Sequence, residues 1–222
     1  MKTLPSVLLA LGLALALVGC KGKTREPAPA GPAPWERTET GTNPPLQPVS
    51  RFASIEDAKA RSVALFTEAG RVITHPRCTN CHPPDGVPRQ GLEQRPHVPH
   101  VTGGAKGHGM PGLPCASCHQ VANTRLVGET LQSIPGNPKW ALAPVEMAWI
   151  GKSLGEICEQ LKDPQRNGGH DLAFIHHHMA EDVLVGWGWA PGEGRQPVPG
   201  TQKEFGELIR AWIDTGAHCP AR

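Results

Sequence analysis

Apolar residues recur at helical spacing in four stretches of this 222-residue chain, and polar, glycine- and proline-rich sequence fills the intervals. The first stretch opens on Ser54-Ile55-Glu56-Asp57, a capping-box-like start, and carries Ile55, Leu65, Phe66, Ala69 and Val72 at helical spacing. That spacing predicts a helix stopping between Gly70 and Thr74. Ser153-Leu154-Gly155-Glu156 is a full capping box and predicts a second helix to about Lys162, ended by Asp163-Pro164. A third helix is expected over 171–185, with Leu172, Ile175, Met179 and Val183 inward. The fourth starts at Thr201-Gln202-Lys203-Glu204 and buries Phe205, Leu208, Ile209, Trp212 and Ile213. Gly216 sits where its C-terminal cap belongs. The interval 74–144 is crowded with Gly and Pro, so beyond short turns it is expected to form irregular loops that wrap something. The expected fold class is mainly α with extensive irregular loops.

The beginning of the chain follows other rules. Met1 and Lys2 give a positive start, and residues 7–18 are an apolar run too short for a comfortable membrane span. The run ends in Leu17-Val18-Gly19-Cys20, which resembles a bacterial lipobox. Residues 1–19 are therefore expected to be a lipoprotein signal peptide, and Cys20 the lipidated first residue of the mature chain. Residues 20–50 hold seven prolines and no apolar period, so they read as an extended tether before a folded domain over 51–222. The expected location is periplasmic, lipid-anchored to a membrane; a lipid at the terminus anchors and does not span.

Composition changes the picture in two ways. With 26 Gly, 24 Pro, no Tyr and 6 Trp against 4 Phe, the chain has little material for regular structure, and a core organised around a large apolar cofactor would explain how it folds. A formal charge of +2 with no long basic run argues against a nucleic-acid partner.

Seven cysteines then call for an account. Cys20 takes the lipid. Cys78 and Cys81 lie in "RCTNCHPP", Cys115 and Cys118 in "PCASCHQV", and Cys158 and Cys219 remain. In an oxidising compartment the last two are expected to form a disulfide tying two helices together. The repeated Cys-x-x-Cys-His fits three chemistries: thiol exchange, zinc binding and covalent haem attachment. Thiol exchange of the thioredoxin type needs a βαβ setting, which neither motif has. Zinc would leave His82 and His119 without a reason. Haem uses every element: two sulfurs form thioethers with the vinyl groups, and the adjoining histidine falls under the iron. Two covalently bound c-type haems are expected, with His82 and His119 as proximal ligands.

Distal ligands are less constrained. Chain rounding a porphyrin edge has to cover on the order of 15–20 Å, at least five or six extended residues. His75 is too near Cys78 for that, and His108 and Met110 are marginal for the haem at Cys115. In "RPHVPHV", His97 and His100 are well placed for either haem, and His97 is favoured. Met147, in "LAPVEMAW", has the Pro-x-x-Met look of methionine-ligated cytochromes, against the alternative of a core methionine beside Trp149. In "HHHMAED", His178 shares the inward stripe with Ile175 and Met179, against the alternative of a core histidine; His176 and His177 face solvent.

From about Phe66 to Cys219 the chain resembles a family of bacterial dihaem c-type cytochromes often labelled as an isoquinoline 1-oxidoreductase subunit. The resemblance is carried by "HPRCTNCHP", "CASCHQ", "LAPVEMAWIGKSLGEICEQLKDPQRNGG", "HMAEDVLVGWGW" and "FGELIRAWIDTGAHCP". It implies a dihaem cytochrome c-type fold wrapped around two covalent haems, and a molybdenum hydroxylase as redox partner. No residue here would hold molybdopterin or an iron–sulfur cluster, so the label does not describe this chain's own reaction. A looser similarity to the small dihaem subunit of periplasmic nitrate reductase supports His97, since there too an axial histidine lies upstream of the second motif.

The expected function is electron transfer between an oxidoreductase and the respiratory chain, by an electron-transfer protein that is not itself an enzyme. Axial ligand choice and burial would set the two potentials, and a mixed pair of ligations would give a built-in gradient. The acidic haem propionates would favour a basic patch on the partner. The alternative is a dihaem enzyme such as a peroxidase with one open-coordination haem, which this chain is short for.

Overall fold

The computed structural model describes residues 44–126, 133–192 and 194–222. The expected signal peptide, Cys20 and the tether as far as residue 43 lie outside the described residues. Helices carry the fold: α1 (Ala58–Ile73), α2 (Pro76–Thr79), α3 (Leu154–Lys162), α4 (Leu172–Glu181), α5 (Val183–Gly186) and α6 (Gln202–Asp214). Strand structure among the described residues amounts to short antiparallel pairs. These are β1 (Arg89–Gln90) with β2 (Arg95–Pro96), β3 (Gly109–Met110) with β4 (Leu113–Pro114), and β5 (Thr124–Arg125) with β6 (Ser133–Ile134).

The core lies where α1, α4 and α6 meet, with α3 against α1 and α4. Leu65, Phe66, Ala69, Val72 and Ile73 of α1 are buried with Phe205, Leu208, Ile209 and Trp212 of α6 and with Ile175 and Met179 of α4. Each large side chain fully withdrawn from water contributes roughly 1.5–3 kcal/mol, so this cluster holds the bundle together. The Phe66 and Trp212 rings pack at 4.7 Å between centres. One polar group serves the cluster: the Ser62 hydroxyl donates to the Trp212 carbonyl at 3.1 Å and accepts from the His218 N–H at 2.9 Å. α4 and α6 cross closely because position 206 is glycine; a Cβ there would lie 2.5 Å from that of Ala180.

The capping boxes at Ser153/Glu156 and Thr201/Glu204 form as the sequence predicts, and Gly216, at φ +100°, follows the end of α6. Ile213 is partly buried against the cluster. Two expectations are corrected. α1 starts at Ala58, capped by the Asp57 carboxylate, which accepts from the Ala60 N–H at 2.7 Å; Ser54 lies before the helix. The helix expected over 171–185 is broken at Asp182, whose backbone is extended and whose carboxylate caps α5 through the Leu184 N–H at 2.7 Å. That break turns Val183 outward to 53% exposure.

Ahead of α1, Leu46 is buried in the core, and the Arg71 guanidinium donates to the carbonyls of Pro44 and Pro45 at 2.7 and 2.9 Å. Part of the stretch read as tether therefore packs with the helices. Cys158 on α3 and Cys219 after α6 are joined by a disulfide, with S–S 2.01 Å and Cα atoms 5.6 Å apart. Among the described residues, no helix is long and apolar enough to cross a membrane. The first Cys-x-x-Cys-His sequence begins on α2 at Cys78, and the long interval between α2 and α3, irregular apart from the short strands and single turns, carries the rest of it and all of the second.

Candidate functional site

Each motif is folded as one tight turn. In the first, Cys81 N–H donates to the Cys78 carbonyl at 3.1 Å and His82 N–H to that of Thr79 at 3.0 Å. In the second, Cys118 and His119 N–H groups donate to the Cys115 carbonyl at 3.2 and 2.9 Å. A helical turn puts residues three apart on one side, so each cysteine pair presents two sulfurs to one target. The four thiols are unpaired, in contrast to Cys158 and Cys219. Burial pushes the Cys78 thiol up to about 12 and Cys81 to about 11. Thiol-exchange sites work by the opposite shift.

The two motif histidines are held in the same way. His82 Nδ1 lies 2.8 Å from the Met147 carbonyl, and its ring stacks on Trp149 with centres 3.6 Å apart and planes 3° from parallel. His119 Nδ1 lies 2.8 Å from the Pro135 carbonyl, and its ring stacks on Trp140 at 4.6 Å and 11°. A carbonyl can only accept, so Nδ1 carries the proton in both rings and Nε2 keeps its lone pair for a metal. Burial, opposed by the Met147 carbonyl and reinforced by the charge of His178, holds the His82 pKa down to about 4. Burial first, then His97 and Arg195, lowers that of His119. Neutral imidazoles with Nε2 bare are what iron ligation asks for.

A second histidine stands near each. His97 is 5.9 Å from His119 between ring centres, with planes at 59°. Two imidazoles on opposite faces of one metal, each with a bond of about 2 Å, place their centres roughly 6 Å apart. His97 also donates Nδ1–H to a carbonyl, that of Pro99, at 2.8 Å. His178 lies close enough to His82 for its charge to lower that pKa, and its Nδ1 faces the Asp182 carboxylate at 3.9 Å. It is half-exposed, and lies parallel to Phe174 with centres 6.2 Å apart.

The other histidines are engaged differently. His75 accepts at Nδ1 from the Arg77 backbone N–H at 3.1 Å, and His176 accepts there from the Arg210 guanidinium at 2.9 Å. Both therefore carry a proton on Nε2 when neutral. His177 is exposed beside Glu181, and His100 and His108 are exposed. Met147, a distal candidate by sequence, meets His82 through its main-chain carbonyl.

Sequence reasoning missed Trp140, Trp149 and the Pro135 carbonyl. The surplus of Trp over Phe was their only trace in the sequence. Gly136 explains how Pro135 comes so near: a Cβ at 136 would sit 2.0 Å from the Ala122 carbonyl oxygen, so the chain past His119 packs directly on this peptide.

The donor types suit two haems: a cysteine pair within one turn, followed at once by a histidine whose Nδ1 is tied to a carbonyl, at both motifs. Among the described residues, no three His, Cys, Asp or Glu side chains converge as an ion site. Comparison with family models, with curated proteins and with solved structures finds no match for this chain.

Proposed function

We propose that this chain is a periplasmic, lipid-anchored dihaem c-type cytochrome that passes electrons between an oxidoreductase and the respiratory chain. A molybdenum hydroxylase is the partner implied by the sequence resemblance. The observation carrying this reading is that His82 and His119, each following a cysteine pair, share one tautomer, one kind of carbonyl anchor and one tryptophan stack. His97 stands beside His119, and His178 is near enough to His82 to act on it electrostatically.

When bound, the haems supply one-electron chemistry at iron. The chain's own residues attach and orient them. Cys78 and Cys81 would hold one and Cys115 and Cys118 the other, through thioethers. His82 and His119 would each supply Nε2 to an iron, and His178 and His97 are the residues that would supply a second imidazole. Trp149 and Trp140 fix the planes of the proximal rings and keep water from them.

The test is the mass of the protein matured in an exporting host with haem-attachment machinery, followed by electron paramagnetic resonance of the oxidised form. Two added haem masses and two low-spin signals are expected. His97→Ala and His178→Ala should each convert one signal to high spin, and each reduced variant should bind carbon monoxide at one iron. No added haem, or only one, sinks the proposal. Carbon monoxide binding by the unsubstituted protein, with peroxide turnover, would replace it with an enzyme reading.

A further inference from the structure

The stretches of main chain that present carbonyls to His82 and His119 are themselves braced, each by a side chain from elsewhere in the fold. Gln160 of α3 is 1% exposed. Its Nε2 donates to the Glu146 carbonyl at 2.5 Å and lies 3.5 Å from that of Ala148. These carbonyls flank Met147, whose own carbonyl accepts from His82. The Gln160 Oε1 is buried without a partner, so the amide is half satisfied. A leucine would pack there without that desolvation cost, so the donated bonds are what the amide adds.

Asn123 does the equivalent work at the other site. Its Oδ1 accepts from the Gly136 N–H at 2.9 Å, on the peptide that presents the Pro135 carbonyl to His119. The same oxygen accepts from Trp187 Nε1 at 3.0 Å. Trp187 packs edge-on against Trp140, with centres 5.1 Å apart, and Trp140 stacks on His119. Its Nδ2 donates to the Pro191 carbonyl at 3.0 Å. One side chain thus fixes both supports of His119.

We infer that Gln160 and Asn123 are positioning residues that tune the two irons separately, Gln160 through His82 and Asn123 through His119. This rests on the dihaem reading. The physical link is the Nδ1–H···O bond. A short, fixed carbonyl bond makes the imidazole a stronger donor, which stabilises the oxidised iron and lowers its potential. Loosening the carbonyl weakens that donation and raises the potential of that iron alone.

The experiment is an anaerobic redox titration of the full-length mature protein and of its Gln160→Met and Asn123→Leu variants, with haem content weighed by mass spectrometry first. Both variants should keep two haems, and each should show an upward shift of one midpoint potential, a different one in each. Two retained haems with neither potential moved, or the same one moved in both variants, overturns the inference. A wild-type mass lacking two haems instead overturns the function proposed above. A second measurement needs no variant. In the unsubstituted protein, hyperfine-shifted NMR signals of the His82 and His119 Nδ1 protons should exchange slowly with water. Fast exchange of either contradicts the inference.

Discussion

At the scale of single residues, what separates the histidines is which partner Nδ1 faces. His82, His97 and His119 donate there to carbonyls, His177 and His178 face carboxylates, with His177 the more exposed of the two, and His75 and His176 accept from arginine N–H groups. That division follows from neighbours distant in sequence, so it cannot be read along the chain. Eleven histidines look alike until their partners are known. Gly136 offers a sharp residue-level test. Gly136→Ala puts a methyl 2.0 Å from the Ala122 oxygen, and two stretches of main chain would have to part. Overpacking of this kind costs about 1–3 kcal/mol. Thermal unfolding should register the loss, and the electron paramagnetic signal that His97→Ala alters should broaden in this variant too. An unchanged melting temperature would show that the loop has room this geometry denies it.

Elements were legible to the extent that their signals are local. Both capping boxes lie within four consecutive residues, and both form. The box pattern points to Ser54 as the start of α1, and the cap is made three residues later by Asp57, whose carboxylate accepts from the Ala60 N–H. The break at Asp182 escaped a reading based on apolar spacing, because spacing continues through Val183 while the backbone does not. α3 bears on function, since it carries both Cys158 and Gln160. Ser153→Ala removes its cap and should cost about 1 kcal/mol in denaturant unfolding. The partner Glu156 has its pKa lowered by its bonds to Ser153. A depressed carboxyl stabilises the fold above its unfolded value of 4.5 and loses that contribution as pH falls through the folded value. Glu156→Gln should therefore flatten the acid side of the stability profile, and a profile identical to the parent would contradict this.

For the molecule as a whole, the disulfide closes the largest constraint on the chain. It spans a sequence separation of 61 residues, from α3 to the segment after α6. Closing a loop of that size is worth roughly 4 kcal/mol in the chain-entropy account. The Cys158→Ala/Cys219→Ala double variant should lower the urea midpoint accordingly. Because α3 also bears Gln160, the dihaem proposal expects it to raise the potential of the haem assigned to His82 as well. A midpoint that does not move would mean the helices hold α3 without the covalent tie. The helical bundle and the loop region differ in role: α1, α4 and α6 bury the core, and the interval between α2 and α3 carries His82, His97 and His119.

The sequence by itself determined the motif sites, the helices with local caps and the two cysteines left over for pairing. Those properties depend on residue type and on spacing within a turn or two. Only the tertiary structure decided that Met147 acts through its carbonyl, that Trp140 and Trp149 lie flat on the two rings, and that Gln160 and Asn123 brace the peptides behind them. Each of these joins residues far apart in the chain through main-chain groups that every residue possesses, so no residue type announces them.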